Sequence, residues 1–445
     1  MTQPSSIDAV VRGHLCTGCG ACAGLAPRLF RMEDNPENGR RPMRIVGSED
    51  PAGEQMALAV CPGAGTEAKP PPAADLSAGV DGPSHNEWGN VLEIWEGHAN
   101  NAEMRWRGSS GGVVTALAAY ALASGAAGGV AHIRQSTSNA LLNESTISRN
   151  EQQLLSAAGS RYAPASPCDR LNEIAESSSP VVFIGKPCDV QAAASAAKRD
   201  AAIKRNIALT ISIFCAGAPS SNGTRALLAT LGVPPDAKVT GIRYRGEGWP
   251  GEMAATYVTA KGEEHSTRSI SYEEGWGDIL QKHRQWRCQL CADHIGEFAD
   301  ISVGDPWDKP RASSDNRGAS LIVVRSERGR AFLRNAIAAG AITASSRSLT
   351  SQAEAQPNLA RSRHILFGRL LGLCILGLAA PRYRGWKLTN LWFSKTTFKD
   401  KLVTVLGTMR RAFRRKLWQG EAQAVKGSIG TDSTAARPRP VIVSR

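Results

Sequence analysis

Three closely spaced cysteines near the N-terminus have the spacing of an iron–sulfur ligand loop. Cys16, Cys19 and Cys22 are each separated by two residues, and small residues occupy the intervening positions. This spacing is typical of a 4Fe–4S cluster. The small intervening residues fit it too, because they let the backbone wrap the cluster and donate N–H groups to its sulfides. We expect Cys61, which lies in a Cys-Pro pair, to supply the fourth ligand. Zinc is the alternative, although zinc sites favour two separated Cys-x2-Cys pairs.

Four further cysteines are dispersed along the chain and form a second candidate ligand set. Cys188 and Cys215 each follow an apolar run, and Cys288 and Cys291 form a Cys-x2-Cys pair. If both runs are parallel strands, the first two cysteines emerge at the carboxyl edge of one sheet, where α/β proteins place their sites. Spacing alone leaves three interpretations open: a second four-thiolate cluster, a zinc site, or buried apolar cysteines.

The scaffold that would carry this second set is predicted from residue 88 to about residue 360. Apolar runs at 181–184, 207–214, 301–303 and 320–324 predict strands, and stretches at 113–124, 190–198, 224–231 and 329–339 predict helices. Such alternation favours an α/β domain around a mostly parallel sheet. The full fold-class prediction is α+β and α/β: an N-terminal ferredoxin-like 4Fe–4S domain, then this α/β domain, then a helical basic C-terminal tail.

Composition divides the chain into five segments. We predict a ferredoxin-like domain at 11–66, a linker rich in Pro, Ala, Gly and Ser at 67–86, and a catalytic domain at 87–360. A helical basic tail follows at 361–427 and a disordered end at 428–445.

The cysteine usage and the N-terminus indicate a reducing compartment. Ten cysteines in 445 residues are too few for a disulfide scaffold, and no basic start followed by an apolar run predicts a signal peptide. We therefore expect a cytoplasmic protein. Cys168 and Cys374 lie outside both ligand sets, and we expect them to be ordinary packed cysteines.

The formal net charge of +13 is concentrated in one stretch. Eleven basic residues lie between Arg382 and Lys416, where Asp400 is the only acidic residue. Because the remainder is nearly neutral, we expect no nucleic-acid partner. Residues 402–417 predict an amphipathic helix, with an apolar face formed by Leu402, Leu406, Met409, Phe413 and Leu417. This helix either packs on its own protein or gives residues 381–417 a peripheral contact with an anionic inner membrane.

Several motifs in the middle of the chain resemble a known family. They are the strings RGSSGGVVTAL at 107–117, GSRY at 159–162, FIGKPC at 183–188, YRGEGWPG at 244–251, the Cys288-x2-Cys291 pair and ADISVGDPW at 299–307. Together they resemble the β subunit of coenzyme F420 hydrogenases and dehydrogenases, over roughly residues 11–360. Related members include 7-hydroxymethyl chlorophyll a reductase and bacterial proteins associated with polysaccharide biosynthesis.

The resemblance implies an FAD-containing oxidoreductase with 4Fe–4S clusters, and it assigns the dispersed cysteines to the family's core cluster. Free N–H groups at a glycine-rich helix start attract phosphate. The helix start therefore supplies five candidate FAD contacts, Gly108, Ser109, Ser110, Gly111 and Gly112. The other family motifs add Ser160, Arg161, Tyr162, Arg245, Trp249 and Asp305 as candidate contacts. Each has a plain alternative as part of a turn or a cap.

Two cations are candidate catalytic residues. Arg245 is placed to balance a reduced, anionic flavin ring, and Lys186 to tune the cluster potential or to contact substrate. No hydrolase signature is present, and among the eight histidines His294 is the most suggestive base, although a surface role is favoured.

The leading function is an oxidoreductase that passes electrons between two 4Fe–4S clusters, FAD and a small-molecule redox substrate, with ferredoxin or another electron-transfer protein as partner. The substrate is deazaflavin-like or unknown, with a role in polysaccharide biosynthesis among the options. The alternatives are an electron-transfer subunit without its own substrate turnover and a zinc-binding module.

Overall fold

A computed structural model describes residues 4–69, 87–308 and 317–421. Most of the predicted linker at 67–86 and all of the predicted disordered end at 428–445 lie outside the described residues.

The largest element is an eight-stranded sheet in the order β14-β4-β13-β12-β8-β7-β5-β6. Four of its strands, β12, β8, β7 and β5, are neighbours and run parallel, whereas the pairings on either side of them are antiparallel. The strands of the whole chain are β1 (Phe30–Asn35), β2 (Gly39–Arg44), β3 (Gly65–Glu67), β4 (Glu93–Ala99), β5 (Gly129–Gln135), β6 (Asn143–Ser148), β7 (Val181–Gly185), β8 (Ile207–Ile213), β9 (Lys238–Arg243), β10 (Ala254–Val258), β11 (Glu264–Ser266), β12 (Ile301–Gly304), β13 (Ser320–Val324), β14 (Ile342–Arg347) and β15 (Arg382–Arg384).

The four strand predictions are confirmed. Strands buried on both faces read as continuous apolar runs, and the residues of β13 are all buried. In β7, only Ile184 is less than fully buried. Five of the eight strands point in one direction, which agrees with a large, mostly parallel sheet.

Helices cover both faces of the sheet and form the C-terminal region. Three predicted helices begin two or three residues earlier than expected. In the last of them the early start is capped by Ser326, whose side chain accepts a hydrogen bond from the N–H of Gly329. The helices are α1 (Ile7–Arg12), α2 (Ala21–Leu25), α3 (Pro51–Val60), α4 (Ala102–Arg107), α5 (Val113–Ala123), α6 (Glu151–Ser156), α7 (Leu171–Ala175), α8 (Pro187–Ala197), α9 (Ala201–Asn206), α10 (Ser221–Leu231), α11 (Glu327–Ala338), α12 (Ser351–Ala355), α13 (Pro357–His364), α14 (Leu366–Ile375), α15 (Leu388–Lys395) and α16 (Phe398–Arg414).

The N-terminal segment is built on a hairpin of β1 and β2 with α2 and α3 packed together. It shares one hydrophobic core with the sheet and the C-terminal helices, since Val10, Leu15, Phe183, Leu366 and Ala412 belong to the same buried cluster. In addition, β3 pairs in parallel with β15. The ferredoxin-like character and the boundaries of this segment stay predictions.

The C-terminal region from α13 onward is helical, as predicted, apart from the short strand β15. None of the helices in the described part of the chain combines the length and apolar character that a bilayer span requires.

Candidate functional site

Cys16, Cys19, Cys22 and Cys61 line one small cavity. Cys22 lies in the first turn of α2, and Cys61 directly follows α3 as its C-terminal cap. The N–H of Gly18 donates to Cys16 Sγ at 3.4 Å. The remaining wall is mostly apolar, with Ile7, Val10, Val11, Met32 and Pro42 among its residues. The structure thus brings the first predicted ligand set together.

Burial governs the pKa values of these thiols. It raises the pKa of Cys16 to about 11 and that of Cys61 to about 12. It also raises the pKa of Cys22 well above its usual value, and the thiolates of Cys16, Cys19 and Cys61 add to this by repulsion. Cys19 is the exception: its pKa is lowered, chiefly because Cys168 donates a hydrogen bond to it.

Cys168 is fully buried beside this first set, in agreement with a packed cysteine. Its backbone N–H donates to the carbonyl of Cys19 at 3.0 Å, and its Sγ lies 3.2 Å from the carbonyl oxygen of Asp189. Cys374, by contrast, is exposed, so the expectation that it is packed was wrong. It lies on the outer side of α14, whose buried positions are filled by Leu366, Leu370 and Leu373.

The second predicted set is also brought together. Cys188 lies in the first turn of α8, after β7, and Cys215 follows β8, so both emerge at the carboxyl edge of the parallel strands. Cys288 lies in a 3₁₀ turn, Trp286–Leu290, with Cys291 as its cap. Burial raises the pKa of Cys215 and of Cys291 to about 12, and thiolate repulsion within the set adds to both shifts.

Cations surround the second set. Lys186 forms an ion pair of 2.6 Å with the buried Asp189, and the negative charges of Asp189, Cys188 and Cys215 raise its pKa despite the opposing effect of burial. Arg287, which the sequence did not single out, is buried and donates to the carbonyl of Pro62 at 2.8 Å. It therefore connects the second set to the Cys-Pro pair of the first.

Within the described residues, no three His, Cys, Asp or Glu side chains are grouped so as to hold a metal ion.

A cavity of about 310 Å³ opens at the same sheet edge. Of the predicted FAD contacts, all line it except Gly111 and Trp249, and so do Lys186 and Cys215. The glycines also have a packing role: a Cβ at Gly111 would lie 2.6 Å from the carbonyl oxygen of Gly97. Gly112 starts α5 in the left-handed region, at φ 72°, without a side-chain cap.

The serines of this helix start connect to the second predicted segment. Ser109 Oγ accepts a hydrogen bond of 2.7 Å from the N–H of Ser160. Arg161 is turned into the protein, where it donates to Asn143, Gln135 and the carbonyls of Ile242 and Ala140 at 2.8–3.0 Å. Its guanidinium thus has protein acceptors, and contact with a cofactor stays a prediction.

Arg245 is held in a buried ion pair. Its Nη1 and Nη2 donate to the Asp305 carboxylate at 2.8 and 2.7 Å, and Trp249 Nε1 donates to the same carboxylate at 2.8 Å. Burial alone would lower the pKa of Arg245, but Asp305 raises it above its ordinary value. The guanidinium lies 5.0 Å from the ring centre of Tyr272 and 5.5 Å from that of Trp307, two aromatics that were not among the predicted site residues.

His294 is buried, so the expected surface role was wrong. Its Nδ1 lies 2.8 Å from the carbonyl oxygen of Cys215, and its Nε2 has no hydrogen-bond partner among the described residues. Burial lowers its pKa to about 4. Its position three residues after Cys291 was the signal that could have located it near the second set.

Comparisons with known proteins agree with the motifs. Residues 94–172 match the N-terminal part of the coenzyme F420 hydrogenase/dehydrogenase beta subunit, and residues 179–349 match its C-terminal part. These matches define the chain as an oxidoreductase-type α/β protein. It belongs to the coenzyme F420 hydrogenase/dehydrogenase beta subunit family, which confirms the resemblance.

Individual relatives are distant. The coenzyme F420 hydrogenase subunit beta of Methanococcus voltae is 24% identical over 259 residues, which are 57% of this chain and 84% of that protein. An uncharacterized protein of Methanocaldococcus jannaschii is 24% identical over 358 residues, 74% of this chain and 88% of that protein. A chain in the xenon-derivatized F420-reducing nickel–iron hydrogenase complex of Methanosarcina barkeri superposes with a TM-score of 0.49 at 19% identity, covering 65% of this chain and 96% of that one.

Proposed function

We propose that this protein is an iron–sulfur flavoprotein oxidoreductase, with one 4Fe–4S cluster on each cysteine set and FAD in the cavity at the sheet edge. One observation carries the proposal. Cys215 belongs to the second set and also lines the cavity that holds the helix start at Gly112 and the cation Arg245. A cluster ligand in the wall of a cofactor cavity gives electrons a short path between the two groups.

The donor chemistry of both sets fits iron–sulfur clusters. Each set consists of four thiols and no other ligand type, and backbone N–H groups point at sulfur in both, including that of Ala218, which lies 3.4 Å from Cys288 Sγ. The second set has Lys186 and Arg287 beside it, and such cations offset the negative charge of a thiolate-ligated cluster. A bound metal would deprotonate the thiols in spite of their raised pKa values.

The cavity suits a flavin for three reasons. Its helix start leaves backbone N–H groups of α5 without a side-chain cap, which favours a phosphate. Tyr272 and Trp307 offer aromatic surfaces, and the guanidinium of Arg245 and the ammonium of Lys186 line the same cavity, each held by a carboxylate. Bound FAD would exchange two electrons with a substrate and single electrons with a cluster. The role of the chain is to orient this group, exclude water and set its potential.

The substrate and partner are proposed more coarsely. The family and the relative from Methanococcus voltae are named for coenzyme F420, so we propose a deazaflavin or a similar small redox molecule as substrate. The first cysteine set lies outside the main cavity, which suits an entry point for electrons from ferredoxin or another partner protein in the cytoplasm.

Cofactor content after anaerobic purification tests the cluster and flavin assignments. We expect about eight iron atoms, because each 4Fe–4S cluster contains four, and one FAD per chain. The Cys19→Ser and Cys215→Ser variants should each retain about four iron atoms. The exposed Cys374 provides the matched control, since Cys374→Ser should keep the full content. Stoichiometric zinc, or full iron content in Cys215→Ser, would contradict the proposal.

The alternative is an electron-transfer subunit without its own substrate turnover. It is favoured by the relative from Methanococcus voltae, which is named as a subunit of a hydrogenase. The two functions differ in one measurement: reduced deazaflavin should bleach the flavin absorbance of the purified chain if this protein turns over substrate itself. An unchanged spectrum in the fully loaded protein would favour the electron-transfer subunit.

A further inference from the structure

The helix α16 exposes large apolar side chains in one continuous stripe. Phe398, Leu402, Leu406 and Phe413 are 76%, 49%, 60% and 56% exposed. At 3.6 residues per turn, these four positions fall within about 80° of one another on the helix surface. We call this stripe the α16 face.

Another side of α16, centred roughly 120° from the stripe, faces the protein and is made of small residues. Thr404, Thr408 and Ala412 are its buried positions. They allow close packing on α14, where a Cβ added at Gly372 would lie 3.0 Å from the carbonyl oxygen of Val405. The amphipathic helix predicted from the sequence is therefore present, but it packs on the protein through a different side from its predicted apolar face. Of the five residues predicted for that face, Leu417 is the one that is buried.

Further apolar groups lie near both ends of α16. Phe393, at the end of α15, is 65% exposed, and Trp418, just after α16, is 54% exposed. On α14, which packs against α16, Ile375 is 59% exposed. Monomeric proteins rarely expose a contiguous apolar surface of this kind without a partner.

Basic side chains border the α16 face. Lys395, Lys399, Arg410, Arg414 and Lys416 are all exposed. By helical periodicity, Lys399, Arg410 and Arg414 lie along one side of the stripe. The single acidic residue of the region is Asp400. Its carboxylate accepts hydrogen bonds from Arg361, at 2.8 Å, and from the hydroxyl of Thr397.

We propose that the α16 face binds the surface of an anionic lipid membrane, with the helix axis parallel to the bilayer plane. An apolar stripe edged by Lys and Arg is the composition of helices that lie in the headgroup region, where aromatic side chains such as Trp418 and Phe393 are also favoured. Anionic headgroups complement the basic border. The proposal is independent of the cofactors.

Vesicle co-sedimentation with the full-length protein, purified with its cofactors, tests this. Vesicles of phosphatidylcholine alone are compared with vesicles that also contain phosphatidylglycerol. We expect binding to the second kind, weakened at least tenfold in the Leu402→Ser/Leu406→Ser double variant. Val46, which is 95% exposed in the loop between β2 and α3, provides the control, since Val46→Ser should bind like the wild type.

The basic border is tested separately. The Lys399→Gln/Arg410→Gln/Arg414→Gln variant should lose the preference for phosphatidylglycerol, whereas Lys204→Gln/Lys261→Gln/Arg268→Gln, with the same charge change at exposed sites elsewhere, should keep it. Point variants are required here. Deleting residues from 381 onward would also remove the buried Trp386, Leu388 and Ala412 from the main core.

Three outcomes would overturn the proposal. The first is that the wild-type protein binds neither kind of vesicle, or binds vesicles with and without phosphatidylglycerol equally. The second is a dimer in sedimentation velocity that Leu406→Ser converts to monomer, since the face would then join two copies. The third is vesicle binding that appears only after residues 422–445 are removed, since the chain itself would then cover the face.

Discussion

Asp305 compensates the buried guanidinium of the main cavity. It accepts two hydrogen bonds from Arg245 and one from Trp249, and it lies directly after β12 at the sheet edge. Arg245 has 3% of its side chain exposed. A buried ion pair adds little to stability as a pair, but removal of one member leaves a charge that water cannot reach.

We therefore predict that Asp305→Asn lowers the free energy of unfolding by about 3 kcal/mol, the usual cost of breaking a buried pair. Urea unfolding of the cofactor-loaded protein measures it. Asp278 is exposed, so Asp278→Asn is the matched control and should change stability by less than about 0.5 kcal/mol. Equal effects of the two substitutions would show that the pair does not compensate Arg245.

His132 makes folding sensitive to acid. It lines the main cavity, its Nε2 lies 2.7 Å from Ser148 Oγ, and burial lowers its pKa to about 4. The unfolded chain, with an ordinary pKa of about 6.5, therefore binds a proton between pH 6.5 and pH 4 that the folded protein does not bind. This contribution to stability is complete above pH 6.5 and is lost as the pH falls towards 4.

We predict that His132→Gln flattens this dependence. Between pH 7 and pH 4 the wild type should lose up to about 3 kcal/mol more than the variant, at 1.36 kcal/mol per pKa unit. Urea unfolding at a series of pH values provides the measurement. His265 is exposed, and His265→Gln should follow the wild-type curve. A His132→Gln curve parallel to that of the wild type would contradict the assignment.

At the scale of elements, the parallel strands position the candidate site. β7 leads into Lys186 and Cys188, β8 into Cys215, and β12 into Asp305. The position of these residues at one sheet edge was predictable, because apolar runs reveal buried strands, and parallel strands share one carboxyl edge. The pairing of β3 with β15 was not, since three-residue strands carry no periodic signal.

Contacts between distant residues were also beyond the sequence. Cys168 is 149 positions from Cys19, and nothing local marks it as a hydrogen-bond donor to that thiol. The inward turn of Arg161 depends on Asn143 and Gln135, which no motif connects to it. The apolar periodicity of α16 was visible, but periodicity does not say which side of a helix meets the protein.

The close approach of helix α2 to a neighbouring turn leads to a prediction about iron content. A Cβ at Gly24 would overlap the carbonyl oxygen of Cys168, so α2 can approach the turn Pro167–Arg170 only with glycine there. Gly24→Ala should displace Cys22 and release the first cluster, lowering iron from about eight to about four atoms per chain. Gly277 has room for a methyl group, so Gly277→Ala should keep all the iron. Full iron content in Gly24→Ala would contradict this.

For the whole molecule, the last described residue, Glu421, lies near Cys16 of the first cysteine set. Glu421 is buried, with 1% of its side chain exposed, and pairs with Arg41 at 2.7 Å. Arg41 also donates to Gln285 at 3.1 Å, so the N-terminal, middle and C-terminal segments contact one another here.

Glu421→Gln should therefore lower the free energy of unfolding by about 3 kcal/mol, because Arg41 remains buried without its carboxylate. Iron of the first cluster should also be lost more rapidly to a chelator. Calorimetry and chelation kinetics test both effects. Glu37 is exposed, and Glu37→Gln is expected to leave them unchanged. If Glu421→Gln had wild-type stability and wild-type chelation kinetics, the ion pair between Glu421 and Arg41 would not support this region.

The parallel pairing of β3 with β15 also joins two segments that are synthesised far apart in time. Strand β3 directly follows the loop that begins at Cys61, but its partner lies more than 300 residues later. At roughly 5–20 residues per second, a ribosome needs tens of seconds to reach that partner. Throughout that interval β3 lacks its partner strand, so we expect the thiols of the proposed first cluster to be more open to oxidation during synthesis than in the complete chain.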